Sequence, residues 1–173
     1  MSQNSKLTAG AAFPALAWPT VGGGTLDISA IPGWRLLVVY RGKHCPLCKR
    51  YFKTLAGMLA EFEAAGVSVA AVSADPKEKA EADVAEHAWR FPVGYGLSID
   101  QMRTLGLYIS APRSPQETDR PFAEPGLFLI NPAGDTQIID ISNAPFSRPD
   151  LPMILNGIKT IIGKSYPVRG THA

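Results

Sequence analysis

The apolar positions of this chain change spacing in a regular order along its length, and that order predicts alternating strands and helices. Residues 7–34 are rich in Gly, Pro, Ala and Thr, with Gly22-Gly23-Gly24 as a turn between two short apolar stretches, which predicts an N-terminal hairpin. The unbroken apolar run from Arg35 to Tyr40, bounded by Gly33 and Gly42, predicts a central strand buried on both faces. From Cys45 to Ala65 the apolar residues Tyr51, Leu55, Met58, Leu59 and Phe62 recur at helical spacing. Gly66 supplies the stop, so one long helix is expected.

Val67 to Val72 predicts the next strand. Asp75-Pro76 is expected to cap and open a second helix that runs to about Trp89. Val93 to Leu97 predicts a short extended piece, and Asp100 a cap for a brief helix through Leu105-Gly106. Residues 111–124, with three prolines and mixed charge, have no period and predict an exposed loop. Two strands, Gly126–Asn131 and Thr136–Ser142, flank the turn Pro132-Ala133-Gly134-Asp135 and form an antiparallel hairpin. Pro149 opens a last helix to about Ile162, and residues 164–173 are expected to be a loose tail. The order βαβα followed by ββα gives an α/β domain: a mixed sheet covered by helices on both faces, with an N-terminal strand extension.

Composition narrows the class. With 173 residues, 46% hydrophobic and 18% charged, the chain builds one core and reads as a single domain, 1–173. A formal charge of +2 is too mild for a nucleic-acid footprint, so no nucleic-acid partner is expected. No apolar run approaches the ~18 residues of a membrane span. The opening Met1-Ser2-Gln3-Asn4-Ser5-Lys6 lacks a secretion-signal core, and a cytoplasmic location is expected.

The only two cysteines stand at Cys45-Pro46-Leu47-Cys48, where the central strand gives way to the first long helix. In a reducing compartment such a pair is catalytic or metal-binding rather than a structural staple. Unsatisfied N–H groups and the positive dipole end of a helix favour an anion at that point, so Cys45 is expected to be an exposed, low-pKa thiolate. Cys48, on the next position of the first turn, lies within disulfide reach. Arg41, Lys43 and Lys49 are expected to add positive charge near the sulfur. His44 is either a proton donor beside the nucleophile or an ordinary loop residue.

This layout resembles the thioredoxin fold, and over residues 7–160 it is similar to the peroxiredoxin branch, the alkyl hydroperoxide reductase / thiol-specific antioxidant (AhpC/TSA) family. Leu7–Leu26, Val67–Asp75, Phe91-Pro92 through Asp100, Leu105–Tyr108 and Gly126–Gly134 carry the resemblance by their order. It implies a thioredoxin-like sheet and a Cys45/Cys48 couple that reduces a disulfide or hydroperoxide. It also implies a dithiol reductant of thioredoxin, glutaredoxin or glutathione type, no cofactor, and a possible homodimer. The family's Pro-x-x-x-Thr/Ser-x-x-Cys loop is missing, because Tyr40 to Cys45 has neither that proline nor the hydroxyl residue. Where the family places an arginine before the "GLFII" strand this chain has Pro125. The resemblance to thioredoxins implies a cis-proline there, facing Cys45 and leaving the Glu124 backbone free for a polypeptide. A second family arginine persists as Arg148.

Other readings remain for the remaining residues. Structural zinc needs four ligands, and besides the sulfurs there are only His44, His87 and His172, so no metal site is assigned. Copper delivery by a thioredoxin-fold module is the non-enzymatic alternative. His87, Trp34 and Trp89 read as packing or surface residues, and Lys77–Glu86 as a solvated helix face.

Overall fold

The computed structural model describes residues 6–172; Met1 to Ser5, read above for a secretion core, and Ala173 lie outside them. Nine strands are found among the described residues: β1 Ala17–Pro19, β2 Thr25–Asp27, β3 Trp34–Val39, β4 Val67–Val72, β5 Val93–Gly94, β6 Ile109–Ser110, β7 Phe122–Ala123, β8 Gly126–Ile130 and β9 Thr136–Ile141. The helices are α1 Pro46–Gly57, α2 Leu59–Ala64, α3 Lys77–His87, α4 Ile99–Thr104 and α5 Leu151–Lys164. Five strands form the central sheet in the order β5-β4-β3-β8-β9. β4 runs parallel to β3 and to β5, whereas β8 runs antiparallel to both β3 and β9. None of the described helices is long and apolar enough to cross a membrane.

The unbroken apolar run of β3 reflects burial on both sides. Leu36, Val38 and Tyr40 face one cluster, with Phe52 and Leu55 of α1, Phe62 of α2 and Leu155 and Ile158 of α5. Leu37 and Val39 point the other way, into a cluster with Trp18 and Leu26 of the N-terminal hairpin, Met102 of α4 and Phe128 of β8. Both layers are apolar, so alternate residues are buried equally well.

Several expectations are corrected. The long helix is broken at Met58 (φ −102°, ψ 0°), whose N–H is shared between the carbonyls of Thr54 and Leu55. Gly57, a poor helix former, immediately precedes the break. Asp75 does not cap α3; Pro76 takes the cap position without a side-chain bond, and the Asp75 carboxylate reaches instead to the loop after β3. Ser98, not Asp100, caps α4, through a reciprocal capping box with Gln101. The segment 111–124 is not simply exposed: it begins and ends on the β6–β7 ladder, and Thr118, Phe122, Ala123 and Glu124 are buried. The face of α3 read as solvated buries Ala80 and Asp83. After α5 the chain continues without helix or strand, and the Tyr166 carbonyl accepts a hydrogen bond from Gln137.

Candidate active site

The sheet delivers Cys45 through a fixed five-residue link. The Tyr40 N–H still bonds the Val72 carbonyl at the end of the β3–β4 ladder. Gly42 then turns the chain at φ +131°, a conformation that side chains rarely adopt. The Lys43 N–H donates to the Asp75 carboxylate at 2.7 Å, and the Cys45 N–H to the Gly42 carbonyl at 3.1 Å. Cys45 therefore arrives as the cap of α1, with Pro46 opening the helix, and its sulfur accepts the Cys48 N–H at 3.2 Å. One of the orphan donors of the helix end is satisfied by sulfur in place of a hydroxyl or carboxylate oxygen.

Both cysteines are free, and both are buried, at 0% and 1% exposure. The expectation of an exposed Cys45 is thus overturned: as the helix cap its side chain turns inward over the first turn of α1 and joins the cluster that holds Phe52 and Tyr40.

Two arginines supply the positive charge. Arg148 donates from Nη2 to the Cys48 sulfur at 2.7 Å and lies 4.0 Å from the Cys45 sulfur, while its Nε is held by the Pro145 carbonyl at 2.8 Å. Its guanidinium also lies 5.1 Å from the centre of the Tyr51 ring. Arg41, four residues before Cys45 in the link, adds positive charge that favours the Cys45 thiolate. Lys49, by contrast, turns to Asp83 at 3.9 Å on α3, and Lys43 contributes its backbone N–H to the loop and its side chain to the wall of an adjacent cleft. The expected role of these two lysines at the sulfur is not met.

The pair is electrostatically asymmetric. The Cys45 thiol is held well below its ordinary value, chiefly because Cys48 donates a hydrogen bond to its thiolate, helped by the Cys48 N–H, Arg41 and Arg148 against the cost of burial. Burial pushes Cys48 far the other way, reinforced by its bond to Cys45 and only partly opposed by Arg148. One sulfur is thereby set up as a thiolate and its neighbour as the thiol that solvates it.

Pro125 is placed beside the site but not as the resemblance to thioredoxins implied. The Glu124–Pro125 bond is trans, like every peptide bond among the described residues. The Glu124 N–H is already committed to the Tyr108 carbonyl at 2.8 Å, just beyond the β6–β7 ladder, so it is not free to hold a polypeptide. Pro125 and Arg148 line one small pocket with Tyr51 and Asp140.

The His44 ring packs 4.6 Å from that of Phe122. Burial, with Arg41 nearby, lowers its pKa to about 4, so it is neutral near pH 7 and supplies no proton as an acid there. It lines an open cleft of about 900 Å³ with Arg41, Lys43, Pro46, Lys79 and Glu117.

Residues missed from the sequence lie in the supposed loop. Glu124 meets Arg41 Nε at 3.0 Å, Glu117 lies 3.7 Å from Arg41 Nη2, and the Phe122 ring centre is 4.8 Å from its guanidinium carbon. The available signal was the apolar pair Phe122-Ala123, too short to stand out as a strand among the prolines. Among the described residues the three-donor cluster is Asp83, Glu86 and His87, where Lys49 already faces Asp83. No such grouping among the described residues includes a cysteine, and copper delivery is not favoured.

The model of the AhpC/TSA family matches residues 9–138. The chain belongs to the AhpC/TSA family. No curated protein matches it. Among solved structures it is similar to a cysteine-to-serine mutant of peroxiredoxin 6 of Arenicola marina (18% identity, TM-score 0.76, covering 92% of this chain and 76% of that one). It is also similar to Mycobacterium bovis AhpC (15%, 0.75, 97% and 99%) and to a mutant of Xylella fastidiosa PrxQ (17%, 0.75, 91% and 99%). These likenesses confirm the thioredoxin-like architecture expected from the sequence. As an AhpC/TSA member the protein is a thiol-dependent oxidoreductase.

Proposed function

We propose that this AhpC/TSA protein is a thiol peroxidase in which Cys45 and Cys48 form the working redox couple. The Cys45 thiolate attacks the terminal oxygen of a hydroperoxide ROOH. The S–O bond forms as the O–O bond breaks; sulfur is oxidised to Cys45–SOH, and ROH leaves after taking one proton. Cys48 sulfur then displaces hydroxide from Cys45–SOH, which departs as water with the Cys48 proton, leaving a Cys45–Cys48 disulfide. An external dithiol restores both thiols by exchange and is itself oxidised.

The observation that carries this reading is the single guanidinium of Arg148 across both sulfurs. Cationic donors stabilise the attacking thiolate and the negative charge that develops on the departing oxygen. Burial of both sulfurs weighs toward a small hydroperoxide over a protein disulfide, as does the committed Glu124 backbone. The reductant is a dithiol of thioredoxin or glutaredoxin type, or two molecules of glutathione, the setting is the reducing cytoplasm, and two protomers pair as a homodimer.

The test is single-turnover reaction of the reduced protein with hydrogen peroxide and cumene hydroperoxide. Native protein should lose both thiols to one intramolecular disulfide, Cys48→Ser should stop at a dimedone-reactive sulfenic acid, and Cys45→Ser should be inert. Peroxide consumption by Cys45→Ser at the native rate sinks the assignment.

A further inference from the structure

We propose that Glu124 is a positioning residue that fixes the Arg41 guanidinium within the link that delivers Cys45, so that its positive charge favours the Cys45 thiolate. The proposal rests on Cys45 being the nucleophile, and it concerns a residue that touches neither sulfur in the contacts described above.

Arg41 lies in the link between β3 and Cys45, four residues before the sulfur, and a long flexible side chain there has many other places to go. Three contacts remove that freedom. Glu124 Oε2 stands 3.0 Å from Arg41 Nε, a close charge contact off the hydrogen-bond line. Glu117 approaches the far end of the guanidinium at 3.7 Å, and the ring of Phe122 packs beneath it at 4.8 Å. All three groups come from the segment between β6 and β8.

Glu124 is itself fixed. Its Oε1 accepts the Ser110 hydroxyl at 2.7 Å, and its backbone is tied to Tyr108, so the carboxylate is held from two sides before Arg41 arrives. The Glu124 and Arg41 side chains are only 5% and 15% exposed. A carboxylate so far out of water is expensive to bury, and one placed close to a thiolate disfavours that thiolate by direct repulsion. Its placement makes sense when its effect on the cation exceeds its own charge effect on the sulfur. The ionisable neighbours of the sulfur are then Cys48 on α1, Arg148 before α5, and Arg41 with its carboxylates from the β6–β8 segment.

Positioning and plain charge predict opposite signs. If Glu124 acts only as a negative charge, Glu124→Gln favours the Cys45 thiolate and its titration midpoint falls. If Glu124 holds Arg41, the same substitution releases the guanidinium and the midpoint rises toward that of Arg41→Met. The experiment follows the pH dependence of Cys45 alkylation by iodoacetamide in a Cys48→Ser background. It compares the unaltered site with Glu124→Gln, Glu124→Asp, Arg41→Met and the Arg41→Met/Glu124→Gln double variant. The expected result is an upward shift on the order of one pH unit for Glu124→Gln, a smaller one for Glu124→Asp, and no further rise in the double variant.

An unchanged or lowered midpoint in folded Glu124→Gln overturns the proposal. So does a further rise of similar size in the double variant. Should Glu124→Gln fail to fold, Ser110→Ala decides: it removes the hydroxyl behind Glu124 and should move the midpoint upward by less, whereas no shift or a fall counts against positioning. Because alkylation needs no peroxide, the outcome is independent of whether the protein proves to be a peroxidase.

Discussion

Arg148 Nη2 lies 2.7 Å from the Cys48 sulfur and 4.0 Å from the Cys45 sulfur, so one cation serves both members of the pair. It sits on the segment between β9 and α5, roughly a hundred residues from either cysteine, with the Pro145 carbonyl and the Tyr51 ring fixing its plane. A group within reach of both sulfurs can stabilise the Cys45 thiolate before peroxide attack and the Cys48 thiolate during resolution.

Arg148→Met is therefore expected to slow both half-reactions. A charged hydrogen bond of this kind is worth about 1.5–3 kcal/mol, or roughly 10- to 100-fold in rate. Arg148→Lys keeps the charge without the planar fork and should recover only part of the loss. Stopped-flow tryptophan fluorescence, separating sulfenic acid formation from disulfide closure, checks both. A defect confined to the first step would show that the 2.7 Å contact with Cys48 has no role in resolution.

The opposed shifts of the two thiols fix the sign of a pH effect on stability. Between the lowered pKa of folded Cys45 and its ordinary unfolded value near 8.5, the unfolded chain holds a proton there that the folded chain has lost. Stability of the reduced protein accordingly rises with pH through that window and is lost as pH falls through the folded value. Cys48 acts the other way. Above about 8.5 the unfolded thiol ionises while the buried one does not, so its contribution falls with further increase in pH. Urea denaturation of the reduced protein from pH 5 to 10 should show a rise and then a turnover. Cys45→Ser should remove the rise, and a rise that survives that substitution would place its source elsewhere.

Much of this architecture is legible in the chain because burial on two faces and helical spacing leave strong periodic marks. β3, β4, β8 and β9 fall within a residue or so of their expected bounds, as does the dithiol at the start of α1. What stays hidden is long-range. Nothing local indicates that Asp75 serves the Lys43 N–H across the sheet end in place of capping α3, or that Glu124 and Phe122 fold back on Arg41. The inward turn of Cys45 is equally invisible, since a helix cap looks the same in sequence whether it faces solvent or core.

Gly42 gives the link to Cys45 its shape, and substitution there should be costly. A Cβ at this position would stand 2.7 Å from Asp75 Oδ1 and 2.9 Å from Oδ2, on a backbone at φ +131°. Backbone strain and overpacking together predict a loss of about 2–5 kcal/mol for Gly42→Ala. Part of that loss is the clash, so the Gly42→Ala/Asp75→Ala double variant should lose less than the sum of the two singles, by roughly 0.5–3 kcal/mol. Equilibrium denaturation of the four proteins measures this directly. Strict additivity would mean that the Asp75 carboxylate moves aside freely, and that the 2.7 Å bond to Lys43 contributes little to the loop.

Phe52 tests how far the sulfur chemistry depends on the core beneath it. One helical turn after Cys48 and fully buried, its ring packs against Tyr40 at 4.7 Å, Trp89 at 4.9 Å and Phe91 at 5.5 Å between centroids. Removing a ring from such a cluster leaves a cavity, so Phe52→Ala should cost about 3–5 kcal/mol. The same ring supports the first turn of α1, whose Cys48 N–H must lie 3.2 Å from the Cys45 sulfur for the thiolate to be held. Phe52→Leu, which fills most of the space, should lose less stability and keep the Cys45 titration midpoint near native. Phe52→Ala should raise that midpoint in protein that is still folded, because a loosened turn no longer aims its N–H at the sulfur. Thermal unfolding and iodoacetamide titration on the same samples separate the two effects. A native midpoint in folded Phe52→Ala would show that the first turn is set by Asp75, Pro46 and Arg148 alone, with the aromatic cluster acting only on global stability.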